Sequence, residues 1–256
     1  MPEMTLTRRK MLAGGGRMAG GVAAAVITGA GSESAVAQAA STKKLNIVVC
    51  GGHPGDPEYG CGGTIARLTD LGHTVTLMYL NQGDWPPTPA DTRLAEAKKA
   101  CEILKAKRAY AGQQNGHAIL DKAHYEDYQK LLAAENPDIV ITQWPIDNHR
   151  DHRAITNLTY DAWGEAKRAF SLYYYEVSDG EDTLQFSPTH YVDITATEPR
   201  KKQACYAHAS QTPDRYYELQ DAVAKFRGIE SGCSRAEAFV FQWQSKQDLL
   251  LAALAS

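Results

Sequence analysis

Two short stretches of this 256-residue chain carry residue types suited to acid–base and metal chemistry. The first, VVCGGHPGDPEYGCGG at 48–63, sets His53, Asp56 and Glu58 among glycines. The second is Asp147-Asn148-His149-Arg150-Asp151-His152. A glycine-rich loop after an apolar run can cradle phosphate, but a dinucleotide site needs G-x-G-x-x-G. Gly51, Gly52 and Gly55 are wrongly spaced for that, Pro54 and Pro57 lack amide donors, and no G-K-[S/T] is present. A His and an Asp separated by two residues in a tight loop can instead face one cation. A histidine from the second stretch then completes a His-Asp-His set. Three protein ligands with an open fourth position is the pattern of catalytic zinc, which lowers the pKa of a bound water to about 7. The expected cofactor is Zn²⁺, or another divalent ion.

Those stretches need a scaffold that brings them together. Residues 45–50 form an apolar run bounded by glycine, which predicts a buried parallel strand. A helix is expected at 62–71 and a second strand at 74–80, giving a βαβ unit. An amphipathic helix at 92–107 and another at 125–135 follow, then a strand at 138–142. Beyond it come a helix at 154–169, strands at 172–177 and 190–194, and a late helix at 198–210. The alternation predicts an α/β, Rossmann-like single domain with a mainly parallel sheet and helices on both faces. Both histidine stretches follow strands, and open α/β sheets bind ligands at the carboxyl ends of their strands.

The same residues resemble the PIG-L/LmbE family of zinc-dependent N-deacetylases. Its first motif, His-Pro-Asp-Asp with a nearby Glu and a Gly-Gly, is similar to His53-Pro54-Gly55-Asp56-Pro57-Glu58 followed by Gly60-Cys61-Gly62-Gly63. Its second, His-x-Asp-His, is similar to His149-Arg150-Asp151-His152. Weaker likenesses lie at Asn81-Gln82-Gly83-Asp84, Arg93-x-x-Glu96, Ala207-His208-x-Ser210-Gln211 and Ala236-Glu237-Ala238-Phe239. The resemblance implies zinc held by His53, Asp56 and His152. His149 would protonate the leaving amine or stabilise the oxyanion, and Asp151 would orient an imidazole. Arg93 would contact the substrate or brace the site, against a plain i,i+3 pair with Glu96. The implied substrate is a small N-acetylated amino sugar or related glycoconjugate. Gly55 departs from the family, which places its general base there. Glu58, Asp84 or His149 would have to substitute, or the protein is a metal-containing carbohydrate-binding protein without turnover.

The rest of the sequence bounds the setting. Paired arginines in Thr7-Arg8-Arg9-Lys10-Met11-Leu12, a mild apolar stretch and Ala35-Val36-Ala37 read as a cleaved twin-arginine export signal within 1–40. The domain is then 41–256, with a periplasmic or extracellular destination. Cleavage after Ala37 leaves 219 residues with 23 basic and 28 acidic side chains, a formal charge of −5. That balance, with no basic block, argues against a nucleic-acid partner. No later segment is apolar for long enough to span a membrane, and a homo-oligomer is compatible with the sequence. Five cysteines without a C-x-x-C pair indicate neither a zinc finger nor a disulfide framework; Cys205–Cys233 is the candidate bridge in an oxidising compartment. Trp85 and Trp144 follow strands, where each could stack on a sugar or simply pack. Tyr173-Tyr174-Tyr175 reads as a strand with alternating burial.

Overall fold

A computed structural model describes residues 43–255, so the export-signal reading lies outside the described residues. The elements run β1 (Asn46–Gly51), α1 (Asp56–Asp70), β2 (Thr74–Tyr79), α2 (Ala90–Leu104), β3 (Lys107–Tyr110), α3 (Lys122–Ala134), β4 (Ile139–Gln143) and α4 (Arg150–Glu165). They continue with β5 (Ser171–Tyr175), β6 (His190–Asp193), α5 (Glu198–Tyr206), α6 (Pro213–Ser231), β7 (Ala236–Phe241) and α7 (Leu250–Ala253). The seven strands are ordered β3-β2-β1-β4-β5-β7-β6. The first five are mutually parallel, and β7 pairs antiparallel with both β5 and β6.

Alternate residues of each strand feed two separate cores. Ile47, Val49, Leu77, Ile141, Tyr173 and Tyr175 face one side, against Cys61, Ile65 and Leu68 of α1 and Cys101 and Leu104 of α2. Val48, Cys50, Met78, Val140 and Leu172 face the other, against Leu132 of α3 and Ile155, Leu158 and Trp163 of α4. Helices therefore cover both faces of a mainly parallel sheet, as the sequence predicts. Among the described residues, no helix is long and apolar enough to cross a membrane.

The glycine-rich stretch behaves differently from the sequence-based expectation. The helix begins at Asp56, not Gly62, and only Gly55 has the left-handed φ, +116°, that favours glycine. Pro57 suits a first turn, whose amide would lack a partner in any case, and Asp56 and Glu58 complement the positive end of the helix. The later glycines serve packing. A methyl group at Gly60 would lie 2.3 Å from the Tyr175 ring, and one at Gly63 would lie 2.6 Å from Ile194. These residues let α1 press against the sheet and the strand end beside α5. They do not form a phosphate cradle.

All five cysteines are free, which overturns the Cys205–Cys233 bridge. Cys205 is buried, with its thiol donating to the Glu58 carbonyl at 3.4 Å, while the Cys233 thiol donates to the Arg235 carbonyl at 3.3 Å.

Candidate metal centre

β1 has β2 on one side and β4 on the other, and the connections leaving β1 and β4 run to helices on opposite faces. Such a switch point opens a crevice at the carboxyl ends of the strands. The chain leaving β1 carries His53 and Asp56 into it, and the chain leaving β4 carries His149, Asp151 and His152. Gly52 makes the approach close: a methyl group there would sit 2.9 Å from the His152 ring.

Asp56 is the hub. Its Oδ2 accepts from the His53 backbone amide at 2.8 Å and lies 3.2 Å from both His53 Nδ1 and His152 Nε2. In a tetrahedral site with zinc–ligand bonds of about 2.0–2.1 Å, neighbouring ligand atoms lie roughly 3.3 Å apart. Both Asp56 contacts match that edge, and an N,O,N donor set suits zinc, so these residues fit the ion. The other ring nitrogens are also held. His53 Nε2 lies 3.1 Å from Asp151 Oδ2, which accepts from Asn81 Nδ2 at 3.0 Å and the Gly116 amide at 2.7 Å. His152 Nδ1 lies 3.1 Å from Asp147 Oδ1, and Asp147 also accepts from the His149 amide and the Thr183 hydroxyl. Carboxylate partners of this kind fix an imidazole's orientation and tautomer.

His149 joins the group from the N-cap of α4, where its Nδ1 accepts the Asp151 amide at 3.2 Å. Its ring centroid is 4.6 Å from that of His53 and 4.7 Å from that of His152. The three imidazoles bring one nitrogen each within 4.8 Å of one another, which makes a three-histidine site the competing ligand set.

The charges follow from this packing. Burial alone would strip the proton from His152, but Asp56 and the Asp147 bond outweigh it and raise its pKa to about 10. His53 is raised in the same way, burial being overcome by Asp56 and Asp151. Asp56 is held well below the usual carboxylate range: burial opposes its charge, and His152 and His53 prevail. His149 goes the other way, down to about 4, through burial and the neighbouring His53 and His152.

Arg93 is buried and combines two of the three roles the sequence left open, the pair and the brace. It pairs with Glu96 at 2.7 Å and donates to the Pro54 carbonyl, so it braces the loop of the His-Asp pair. Glu58 and Asp84 do not fill the place of a base. Glu58 is fully buried beneath the loop, accepting from the Gly55 amide at 3.1 Å and the Tyr79 hydroxyl at 2.7 Å, with His208 Nε2 at 3.0 Å. Asp84 is exposed and does not line the cavity. At Gly55 a methyl group would have room, 3.7 Å from the Tyr59 ring, but its φ of +116° strains any L side chain. Such strain costs on the order of 1–3 kcal/mol, so Gly55→Asp would not cleanly restore the family's carboxylate.

A cavity of about 350 Å³ opens over these residues, with Arg93, His208 and Gln211 on one side and Trp85 at its rim. Trp85 is 67% exposed, whereas Trp144 is packed against Tyr174 and Phe186. All three tyrosines at 173–175 are buried.

Asp147, quoted in the second stretch without a role, and Gln143, which the sequence did not single out, both contact the site. Gln143 accepts from the Gly52 amide at 2.8 Å and donates to Asp56 Oδ2 at 3.2 Å. Asp147→Asn is expected to weaken zinc binding by about 10–100-fold, the usual effect of losing a partner behind a ligand. Competition against a chelator measures it, and unchanged affinity would remove Asp147 from the centre.

The family described as GlcNAc-PI de-N-acetylase, PIG-L, matches residues 48–163, from β1 through the second histidine motif. Diacetylchitobiose deacetylase of Thermococcus kodakarensis is 27% identical over 74% of this chain and 80% of its own length. The conserved protein TT1542 of Thermus thermophilus superposes with a TM-score of 0.68 at 27% identity, covering 77% of this chain and 94% of that one. The 4-carboxy-2-hydroxymuconate hydratase GalB of Pseudomonas putida superposes with a TM-score of 0.70 at 21% identity, over 80% of this chain and 99% of its own. A hydratase on the same scaffold means that the fold alone does not fix the reaction. The matched segment holds both histidine motifs, and over it this chain is similar to the PIG-L family, as it is to diacetylchitobiose deacetylase over most of its length.

Proposed function

We propose that this protein is a zinc-dependent N-deacetylase that hydrolyses the acetamide of an N-acetylated amino sugar or related glycoconjugate. The observation that carries the reading is the placement of Asp56 Oδ2 at 3.2 Å from both His53 Nδ1 and His152 Nε2, on the wall of a cavity. The named relative that deacetylates diacetylchitobiose supports the substrate class. His53, Asp56 and His152 would hold the ion, which when bound supplies Lewis-acid polarisation of the amide carbonyl and a more acidic water.

The chain's own groups do the rest. Asp151 orients His53, Asp147 orients His152, and Arg93 fixes the Pro54 carbonyl in the loop between His53 and Asp56. His149 is neutral near pH 7, and its Nδ1 accepts the Asp151 amide, which places the ring proton on Nε2. A neutral donor of that kind suits the developing oxyanion and not protonation of the amine. Trp85 offers an exposed aromatic face to a sugar ring at the rim. Trp85→Ala is expected to raise KM for a disaccharide about 3–10-fold, the scale of one aromatic contact. The same KM for both proteins would make Trp85 a bystander.

The test is acetate release by the zinc-loaded protein from a panel of N-acetylated sugars, with His152→Ala alongside. Release that depends on zinc and disappears in the variant supports the reading. Sugar binding with no release favours the alternative that Gly55 suggests, a metal-containing carbohydrate-binding protein without turnover. Export by the twin-arginine route is proposed with it; Arg8→Lys with Arg9→Lys should retain the protein in the cytoplasm, and unchanged secretion would refute that route.

A further inference from the structure

The proposed hydrolysis needs a group that takes a proton from water, and Gly55 supplies none. Most carboxylates around the cavity are engaged. Asp56 lies between His53 and His152, Asp151 stands behind His53, Asp147 stands behind His152, and Glu58 is buried under the loop. Asp182 is different. It lines the cavity together with His53, Asp56, His149 and His152, and it is half-buried. Among the described residues its carboxylate has no hydrogen-bond or ion-pair partner.

Its backbone, in contrast, is firmly tied to the metal loop. The Asn148 amide donates to the Asp182 carbonyl at 2.8 Å, the Thr183 hydroxyl donates to Asp147 at 3.2 Å, and Asp147 and Thr183 form an antiparallel bridge. The segment carrying Asp182 is thus fastened to the segment carrying His149 and His152. We propose that Asp182 is the general base of this enzyme, taking the role that Gly55 cannot fill.

The proposal rests on the deacetylase reading. Asp182 takes one proton from the attacking water as the oxygen forms its bond to the acetamide carbon. The resulting Asp182 carboxylic acid returns that proton to the nitrogen as the C–N bond breaks, leaving the amine and acetic acid, which ionises to acetate. Burial raises the proton affinity of Asp182, His152 opposes the rise, and Asp56, Asp147 and Glu181 add to it. A base that must hold and return a proton near neutrality is helped by that direction.

The test compares the full zinc-loaded chain with Asp182→Asn and Asp182→Glu on N,N'-diacetylchitobiose, and measures zinc stoichiometry and acetate binding at about pH 5 and pH 8. The expected result is a kcat about 10²–10⁴-fold lower in Asp182→Asn, with KM within threefold, zinc stoichiometry unchanged and partial rescue in Asp182→Glu. Acetate should bind the parent more tightly at the lower pH, because protonated Asp182 donates to it, and Asp182→Asn should lose most of that difference. A kcat within threefold of the parent, or a rise in KM alone, overturns the proposal while the deacetylase reading stands. If the parent releases no acetate yet shows the Asp182-dependent binding, the proton site stands and the deacetylase reading falls. Acetate binding with the same pH dependence in both proteins, without turnover, overturns both.

Discussion

Asp56→Ala is expected to lose stoichiometric zinc binding, and acetate release with it. Removing a partner that stands behind a ligand costs about 10–100-fold in metal affinity, and Asp56 is a ligand in its own right, so the loss should exceed that range. Its Oδ2 is the common neighbour of His53 Nδ1 and His152 Nε2 and the only anion in that ligand set. His149→Ala supplies the contrast. With zinc on His53, Asp56 and His152, that variant should keep zinc and lose kcat. If the three imidazoles are the ligands instead, the pattern inverts: Asp56→Ala keeps zinc within about tenfold and His149→Ala loses it. Chelator competition on both variants separates the two sets.

The same Asp56 contacts set a pH dependence. In the metal-free chain His152 holds its proton up to about pH 10, and His53 is raised as well. A zinc ligand must be a neutral imidazole, so uptake of the ion should release protons and tighten as pH rises through neutrality. Calorimetry in buffers of different ionisation enthalpy counts those protons. The sign for stability runs alongside. A raised histidine pKa stabilises the fold fully below the unfolded value near 6.5 and loses that contribution as pH rises through the folded value. A depressed Asp56 pKa stabilises above the unfolded value near 3.9 and loses its contribution as pH falls toward the folded one. The metal-free protein is therefore expected to be most stable between about pH 4 and 6.5 with respect to these groups. Added zinc should extend stability to higher pH.

Much of this centre was legible because the strands that carry it are plain. Residues of β1 and β4 are continuous apolar runs, and the two histidine stretches follow them directly. The topology had only to place β1 beside β4 for His53, Asp56 and His152 to meet. Other parts left weaker traces. β3 is a short edge strand, Lys-Arg-Ala-Tyr, without an apolar signature. α6 hides because its buried face is Tyr217, Gln220, Ala224, Arg227 and Gly228, in place of an aliphatic stripe. The charge on that face is neutralised by Glu176, whose two oxygens each accept from Arg227 at 2.7 Å. The start of α1 was obscured by glycines that lower helix propensity, and close packing against Tyr175 overrides that preference. Asp147 and Gln143 have no motif of their own, because a positioning residue is defined by the atom it meets. Asp182 lies beyond β5, tied to the site by the Asn148 amide and by the Asp147–Thr183 bridge, contacts that no local sequence pattern announces.

Glu58→Ala is expected to be the most destabilising single change near the site. Glu58 is 0% exposed and gathers three donors: the Gly55 amide, the Tyr79 hydroxyl and the His208 ring. His208 also lies 3.5 Å from Arg93, which ties this network to the Pro54 carbonyl and to Glu96. Removing the carboxylate leaves all three groups buried without an acceptor and opens a void, a combination that costs about 3–5 kcal/mol. For a domain of this size each kcal/mol shifts Tm by about 2–4 °C, so the melting point should fall by roughly 6–20 °C. Glu58→Gln keeps the volume and one carbonyl acceptor, so its loss should be smaller. A base in contact with substrate would behave otherwise: both substitutions would abolish turnover while leaving Tm within about 2 °C of the parent. That outcome would return Glu58 to the reaction. The expected one makes it the anchor that holds the positive-φ Gly55 turn, so that His53 and Asp56 leave β1 already facing His152.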